Sequence, residues 1–185
     1  MNEDSQKSPW RTLDSRVVYE NPWISVRHEN VVRPDGVAGI YGVVSMKGRA
    51  VGVVPLHADG TVTLVGQWRY TMEGYSWEIP EGGCPPDESP REAARRELRE
   101  ETGLVAASIE AIGGEVHLSN SVTDERGFLF VATELTQGEA APEGTEQIET
   151  LRLPLSQAVE MAIRGEINDS LSVIALVLLE RQLGR

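Results

Sequence analysis

The sequence predicts a mixed α/β fold in which helices pack in layers against a mixed β-sheet. The first half of the chain is rich in β-branched and aromatic residues, in runs separated by turn-forming pairs such as Asp35-Gly36 and Asp59-Gly60. A charged helical segment follows at 88–104, and two strand-like runs then precede two apolar helical segments. This order of strands, helix, strands and helices is typical of α+β or α/β/α layered folds.

Seven segments have the composition expected of strands, because β-branched and aromatic side chains suit a pleated, half-buried backbone. These segments lie at 16–19, 23–33, 40–45, 50–57, 61–68, 127–135 and 150–155. Helices are predicted at about 155–163 and 169–182, the second with a wide apolar face. Residues 136–147 are turn-rich and predict a long loop, a kind of segment that often carries function.

Charge and composition exclude several classes of protein. The chain of 185 residues has a net charge of −12 and 40% hydrophobic residues, an ordinary globular composition. No basic patch is visible, so a nucleic-acid partner is not expected, and no apolar run is long enough to span a membrane. The single cysteine, Cys84, and an N-terminus without an apolar signal region favour a cytoplasmic protein. Cys84 itself is expected to be a neutral loop residue rather than a nucleophile.

The charged segment carries clear signals for where its helix begins and ends. Ser89 can serve as the N-cap, Pro90 suits the first helical position, and Glu92 completes a capping box. Gly103 is a natural residue just beyond the last turn. The sequence therefore predicts a helix over 90–102.

Three carboxylates share one face of this predicted helix, which is unusual for a solvated surface. Glu97 and Glu101 are a like-charge pair four residues apart, and Glu100 lies within the same turn. Such a face could be a salt-bridged surface, or it could turn inward with its alanines and hold a hard cation such as Mg²⁺ or Mn²⁺. In the inward arrangement, three arginines lie on the outer side of the helix: Arg91, Arg95 and Arg99.

The same carboxylates belong to a longer pattern. From Gly82 to Leu104 the chain has G-x₅-E-x₇-R-E-L-x-E-E-x-G-L without a departure. This segment resembles the Nudix box of the Nudix hydrolases. The resemblance implies an α/β/α sandwich, the Nudix fold, with a mixed sheet and a loop–helix–loop that holds Mg²⁺ or Mn²⁺ against a pyrophosphate. We therefore expect three parts of the chain: a polar, disordered N-terminus (1–9), an N-terminal β region (10–50) and a Nudix hydrolase domain (51–185).

The resemblance also implies roles for individual residues of the box. Glu97 and Glu101 look like the principal metal ligands. Glu100 looks like an assisting metal ligand that also takes part in catalysis. Arg96 and Glu88 resemble the pair that braces the site from behind the ligands.

Further segments narrow the resemblance to the ADP-ribose and nucleoside-diphosphate-sugar pyrophosphatases. They are GQWRY (66–70), SWEIPEGG (76–83) and GEINDSLSVIAL (165–176). In that subfamily the residue before the box glycine, here Glu81, gives its backbone carbonyl to a metal; many relatives have alanine there. The arginine matching Arg69 contacts substrate phosphates, a task that suits a guanidinium; a surface arginine at a strand end is the alternative.

The resemblance implies a general base from a late loop. Glu146 in EGTEQIE (143–149) matches this base best, and Glu143 and Glu149 are the other candidates. Alternatively, the segment is an ordinary acidic loop exposed to solvent. Trp23 matches a region where relatives stack an aromatic side chain on the nucleobase, although a core or hairpin-packing role is equally compatible. His117 is a candidate substrate contact, with an ordinary loop histidine as the alternative.

One departure bears on the substrate. Relatives specific for ADP-ribose tend to carry a proline about 15 residues after the box, and the segment 115–125 has none. The resemblance therefore implies Mg²⁺-dependent hydrolysis of a small-molecule NDP-sugar, ADP-ribose or GDP-mannose. The alternatives are dinucleoside polyphosphates, capped RNA, and a sensor that binds an NDP-sugar without cleaving it. The resemblance also implies a homodimer in which the N-terminal β regions of the two subunits pair.

Overall fold

The computed structural model describes residues 7–139 and 147–184, and within them the chain forms two compact units. The first unit comprises Met1–Lys47 with Ser119–Glu125, and the second comprises Gly48–Leu118 with Arg126–Arg185. Glu146, proposed from the sequence as a general base, lies outside the described residues, as does its rival Glu143. No helix in the described part of the chain is both long and apolar enough to cross a membrane.

The first unit is a three-stranded antiparallel sheet in the order β1-β2-β3. Its strands are β1 (Arg11–Glu20), β2 (Ile24–Val32) and β3 (Ala38–Met46). The predicted turn at Asp35-Gly36 joins β2 to β3, and Gly36 has a φ of 82°, a conformation that glycine adopts without strain. Every residue of β1 is exposed, so the outer edge of this sheet is open.

The second unit contains a five-stranded mixed sheet with the path β7-β4-β10-β8, to which β9 adds by pairing with β10. Only β4 and β10 run parallel to each other; the other pairs are antiparallel. The strands are β4 (Arg49–Pro55), β7 (Glu81–Cys84), β8 (Leu104–Ala111), β9 (Val116–His117) and β10 (Arg126–Gln137). Several successive residues are buried in β4 and in β10, as expected for central strands that are covered on both faces of the sheet.

A second sheet of this unit is antiparallel and has the order β11-β5-β6. Its strands are β5 (Thr61–Arg69), β6 (Gly74–Glu78) and β11 (Glu149–Pro154). The predicted turn at Asp59-Gly60 is present, with Gly60 at a φ of 81°. It connects strands of different sheets, however, and only the single bridge Leu56–Val62 joins them as a hairpin would.

Helices pack on both faces of the mixed sheet, which gives the α/β/α arrangement that the sequence predicts. On one face α1 (Pro90–Thr102) buries alanines and Leu98 against β4, β8 and β10. The other core joins the opposite side of β4 and β10 to β5, α2 (Leu155–Ile163) and α3 (Ser170–Gln182). Burial of these apolar faces is the main favourable contribution to folding.

The predicted ends of α1 are confirmed. The Ser89 hydroxyl accepts from the Glu92 N–H, and the Glu92 carboxylate accepts in return from the Ser89 N–H. Gly103 closes the helix with a φ of 71°, and its N–H donates to the Arg99 carbonyl. These local contacts fix where the carboxylate face of α1 begins and ends.

Candidate active site

The carboxylate face of α1 turns toward the protein, as the inward alternative predicts. Side-chain exposure is 13% at Glu97 and 23% at Glu100, and Glu101 is buried at 4%. The outer arginines, Arg91, Arg95 and Arg99, are exposed. A solvated surface helix would show the reverse pattern, so that alternative is wrong.

The segment 79–82, which we call the carbonyl loop and whose last two residues begin β7, lies directly against these carboxylates. The Glu81 N–H donates to Glu101 Oε2 over 3.1 Å. At Gly82 an added Cβ would overlap the carboxylate of Glu97. The loop and the helix are therefore in contact at two successive residues, each facing a different glutamate.

The close approach at Gly82 yields a testable prediction. In Gly82→Ala the new methyl group displaces the Glu97 carboxylate, which is the far end of a flexible side chain, so the protein should fold normally. We expect hydrolysis by this variant to fall at least about tenfold, because small misplacements at a site cost much of the rate. Gly83→Ala is the matched control, since nothing lies within 4 Å of a Cβ there. Equal activity in the two variants would contradict a role for this contact.

Arg96 braces the carboxylates from one side. Its Nε and Nη2 atoms pair with the two oxygens of Glu88 at 3.2 and 2.9 Å, and Nη2 also donates to the Gly83 carbonyl at 2.7 Å. Its Nη1 donates to Glu97 at 2.6 Å and to Glu100 at 3.1 Å. The hydrogen bonds to Glu88 and then those to Glu97 and Glu100 raise the pKa of Arg96, so this guanidinium is a permanent charge.

The donors present suit a hard cation. All are oxygens: the carboxylates of Glu97, Glu100 and Glu101 on α1 and, as the resemblance implies, the backbone carbonyl of Glu81. Within the described residues no three acidic, histidine or cysteine side chains already form a metal cage. These carboxylates have other partners instead. Arg96 supplies the positive charge beside Glu97 and Glu100, and Glu101 accepts a hydrogen bond from the Glu81 N–H. The chemistry of these residues fits a divalent cation, which would compete with Arg96 for the carboxylates of Glu97 and Glu100.

Arg69 ends β5 beside the carbonyl loop and is not the free surface arginine of the alternative interpretation. Its Nε donates to Glu78 Oε1 at 2.9 Å, and its Nη2 pairs with Glu78 and, at 2.8 Å, with Glu81 Oε1. Burial by itself lowers the pKa of Arg69, but the contacts with Glu78 and Glu81 raise it overall. These contacts use Nε and Nη2, and among the described residues Nη1 makes no hydrogen bond.

The Glu81 side chain has a role that sequence reasoning missed. Its Oε2 is buried and, among the described residues, lacks a hydrogen-bond partner. Burial first, and then the charges of Asp169 and Glu78, raise its pKa well above the ordinary value, against the opposing effect of Arg69. Because its Oε1 accepts from Arg69 Nη2, this buried side chain helps to hold the guanidinium of Arg69 in place.

The remaining candidates are not joined to this cluster by described contacts. Trp23 is 72% exposed in the first unit, so a buried core role is wrong for it. His117, in β9, has a half-exposed side chain and lies 3.6 Å from Glu115. Glu149 begins β11 and is hydrogen-bonded to the Tyr75 hydroxyl, whose pKa is raised by burial and by this carboxylate.

Cys84 is buried at the end of β7, and its Sγ–H donates a hydrogen bond to the Glu88 carbonyl over 3.3 Å. Burial raises the pKa of this thiol, which keeps it protonated and unreactive. The expectation of a loop residue is wrong, because Cys84 is the last residue of β7, which pairs with β4.

Two surface concavities of about 560 and 190 Å³ contain none of the paired carboxylates or arginines described above. The larger is lined by residues 56–60, 133–135 and Leu183, and the smaller includes His57, Thr102 and Arg152.

Comparison with known proteins assigns the class. A model of the NUDIX domain matches residues 46–173, most of the chain, so the chain belongs to the Nudix family and is a hydrolase of the pyrophosphatase class. A second model, the nucleoside diphosphate sugar hydrolase N-terminal domain, matches residues 10–44.

Individual relatives cover nearly the whole chain. An ADP-ribose pyrophosphatase of Bacillus subtilis is 29% identical over 92% of this chain and 92% of its own. A methanol dehydrogenase activator of Bacillus methanolicus is 29% identical over 93% of both chains. The crystal structure of an ADP compounds hydrolase has a TM-score of 0.84 at 24% identity, covering 95% of this chain and 94% of that one, and it confirms the fold.

Proposed function

We propose that this protein hydrolyses the pyrophosphate bond of a small nucleoside diphosphate sugar, ADP-ribose or GDP-mannose, in a reaction that requires Mg²⁺ or Mn²⁺. The products would be a nucleoside monophosphate and a sugar phosphate. The observation that carries the proposal is the inward carboxylate face of α1, packed against the carbonyl loop and flanked by Arg69. The match of residues 10–44 to the N-terminal domain of NDP-sugar hydrolases supports the substrate class.

The cation would be held by Glu97, Glu101 and Glu100, with the backbone carbonyl of Glu81 as a further ligand. When bound, a divalent cation polarises diphosphate oxygens and lowers the pKa of a coordinated water. Arg96 keeps the glutamates oriented through its own ion pairs, and its bidentate contact with Glu88 keeps the guanidinium from turning away.

Arg69 would bind a phosphate oxygen of the substrate through Nη1. Its other nitrogens remain on Glu78 and Glu81, which fix the plane of the guanidinium before the substrate arrives. Such preorganisation lowers the entropic cost of binding and offsets charge that develops on the leaving phosphate.

Glu146 would orient or deprotonate the attacking water, and this role can be separated from cation binding. We expect Glu146→Gln to lower kcat by about 100-fold, the usual contribution of a general base, while Mn²⁺ binding stays unchanged. Glu143→Gln and Glu149→Gln are matched controls in the same segment, and Glu149 already accepts from Tyr75. Full activity of Glu146→Gln together with a large loss in one control would move the role to that residue.

Two residues outside the cluster would contact the rest of the substrate. The exposed indole of Trp23 offers a face on which a nucleobase can stack. His117 has a half-exposed ring that can exchange hydrogen bonds with a sugar.

We propose a homodimer that associates through the N-terminal sheet. The edge strand β1 has open backbone groups along one side, and large apolar side chains are exposed on this unit, among them Val17, Tyr19 and Ile40. Open edges with apolar side chains are usually covered by a partner. The mass of the protein in solution, measured by light scattering, would contradict this proposal if it matched one chain.

A substrate panel tests the proposed function. The purified protein is assayed with Mg²⁺ on ADP-ribose, GDP-mannose, UDP-glucose, a diadenosine polyphosphate and NADH, with phosphatase added to release phosphate from monoester products. The proposal predicts strong turnover of one NDP-sugar. Preferential turnover of the diadenosine compound would favour the polyphosphate alternative. Tight binding of an NDP-sugar without cleavage would identify a sensor.

A further inference from the structure

We propose that Ser172 is a positioning residue for the cation site, acting through the carbonyl loop. This residue is in α3, far from the Nudix box in sequence, and its side chain is completely buried. Its Oγ accepts from the Ile79 N–H over 2.9 Å. The inference rests on the proposed cation-dependent function and adds to it a residue outside the box.

The hydroxyl of Ser172 is held in place by the start of α3. Asp169 caps the helix, and its carboxylate accepts from the Ser172 N–H at 2.8 Å. Since the first turn of the helix is fixed by this cap, the serine presents its Oγ to the loop from a rigid support. The Ile79 N–H is buried with its residue, so without Ser172 it would lose its partner, which is costly.

Successive residues of the carbonyl loop are each held by a different element. Ile79 is held by α3 through Ser172, and the Pro80 carbonyl accepts from the Val53 N–H of β4 at 2.9 Å. The Glu81 N–H donates to Glu101 of α1 at 3.1 Å. These three attachments set the direction of the peptide groups that follow.

The position of the loop in turn sets the positions of the carboxylates. Glu101 bonds to the loop, and Glu97 lies so close to Gly82 that no side chain fits between them. Releasing the loop at Ile79 therefore shifts the backbone carbonyl of Glu81 and the surface on which both glutamates rest. Loss of groups that orient metal ligands typically weakens metal binding by 10- to 100-fold.

The test measures Mn²⁺ binding in the absence of substrate, by electron paramagnetic resonance, together with the melting temperature. Ser172→Ala is expected to raise the Kd for Mn²⁺ about tenfold and to lower Tm by a few degrees. Ser172→Cys keeps nearly the same volume and a weak acceptor, so its Kd should lie between those of Ser172→Ala and the wild type. It also keeps the test valid if Ser172→Ala folds poorly.

Ala175→Gly is the control for stability alone. Ala175 is buried in the same helix, and glycine there should lower Tm by a similar amount. We expect this variant to bind Mn²⁺ as the wild type does. If Ser172→Ala and Ala175→Gly bind Mn²⁺ equally well, Ser172 is only a structural residue and the inference is overturned.

These outcomes are independent of the proposed substrate. Wild-type protein that binds Mn²⁺ but cleaves no NDP-sugar would defeat the proposed function, while a tenfold loss in Ser172→Ala would still support the positioning role. Wild-type protein that binds no Mn²⁺ would overturn both proposals.

Discussion

Replacing Glu101 by glutamine should lower kcat by about 1,000-fold at saturating Mg²⁺. A loss of that size corresponds to about 4 kcal/mol of transition-state stabilisation, the scale expected when a metal site is impaired. The glutamine oxygen can still accept from the Glu81 N–H, so the loop contact is kept and only the negative charge is removed. Steady-state kinetics over a range of Mg²⁺ concentrations measures the effect.

The control for this variant is Glu110→Gln. Glu110 is an exposed carboxylate on β8 whose pairing with Arg91 is long, 4.0 Å, and surface pairs of this kind contribute little. Its replacement should leave kcat and Tm unchanged. Near-normal turnover by Glu101→Gln at saturating Mg²⁺ would refute the assignment of Glu101 as a metal ligand.

Removing the Arg69 side chain should have the second largest effect, on stability as well as on activity. In Arg69→Ala the buried carboxylate of Glu78 loses its cationic partner, which should cost about 2–3 kcal/mol of folding free energy, or roughly 5–10 °C in Tm. Loss of a charge-assisted contact with a substrate phosphate should also lower kcat/KM by about 100-fold. Thermal unfolding and kinetics measure the two effects separately.

A second replacement separates these two roles of Arg69. In Arg69→Ala/Glu78→Gln the unpaired charge is gone, so much of the stability should return, while kcat/KM should remain low. Arg164→Ala is the control for an exposed pair, since Arg164 and Glu166 are both about half exposed, and its effect on stability should be small. Recovery of kcat/KM in the double variant would show that Arg69 serves stability alone.

The sequence predicted α1 to the residue because the signals for that helix are local. A capping box at Ser89 and a left-handed glycine at Gly103 depend on a few neighbouring residues and little on the rest of the fold. The inward direction of the carboxylates was also predictable, from like charges that share a face with alanines.

Four strands were not predicted from the sequence, β6, β7, β8 and β9, and two of them, β7 and β9, have the opposite character. β7 has the sequence EGGC, whose glycines disfavour a strand, and it forms because it pairs with β4. β9 has only two residues and exists by pairing with β10. These elements depend on contacts between distant segments, which periodicity along one segment does not reveal.

The same distinction applies to the candidate site. The residues of the box lie within one short segment, so a pattern identifies them together. The attachment of Ser172 to Ile79 spans 93 residues, and the Glu81 side chain is directed by Arg69 and Asp169. The sequence predicted that α3 begins near Asp169, but nothing local indicated which buried N–H its first turn would meet.

The most direct test of the account is analysis of the products formed from ADP-ribose and GDP-mannose with Mg²⁺, with and without EDTA. The account predicts that one of these substrates yields its nucleoside monophosphate and a sugar phosphate in equal amounts, that EDTA stops the reaction, and that Glu101→Gln nearly abolishes it. Absence of both products from both substrates, or equal formation in Glu101→Gln, would contradict the central claim.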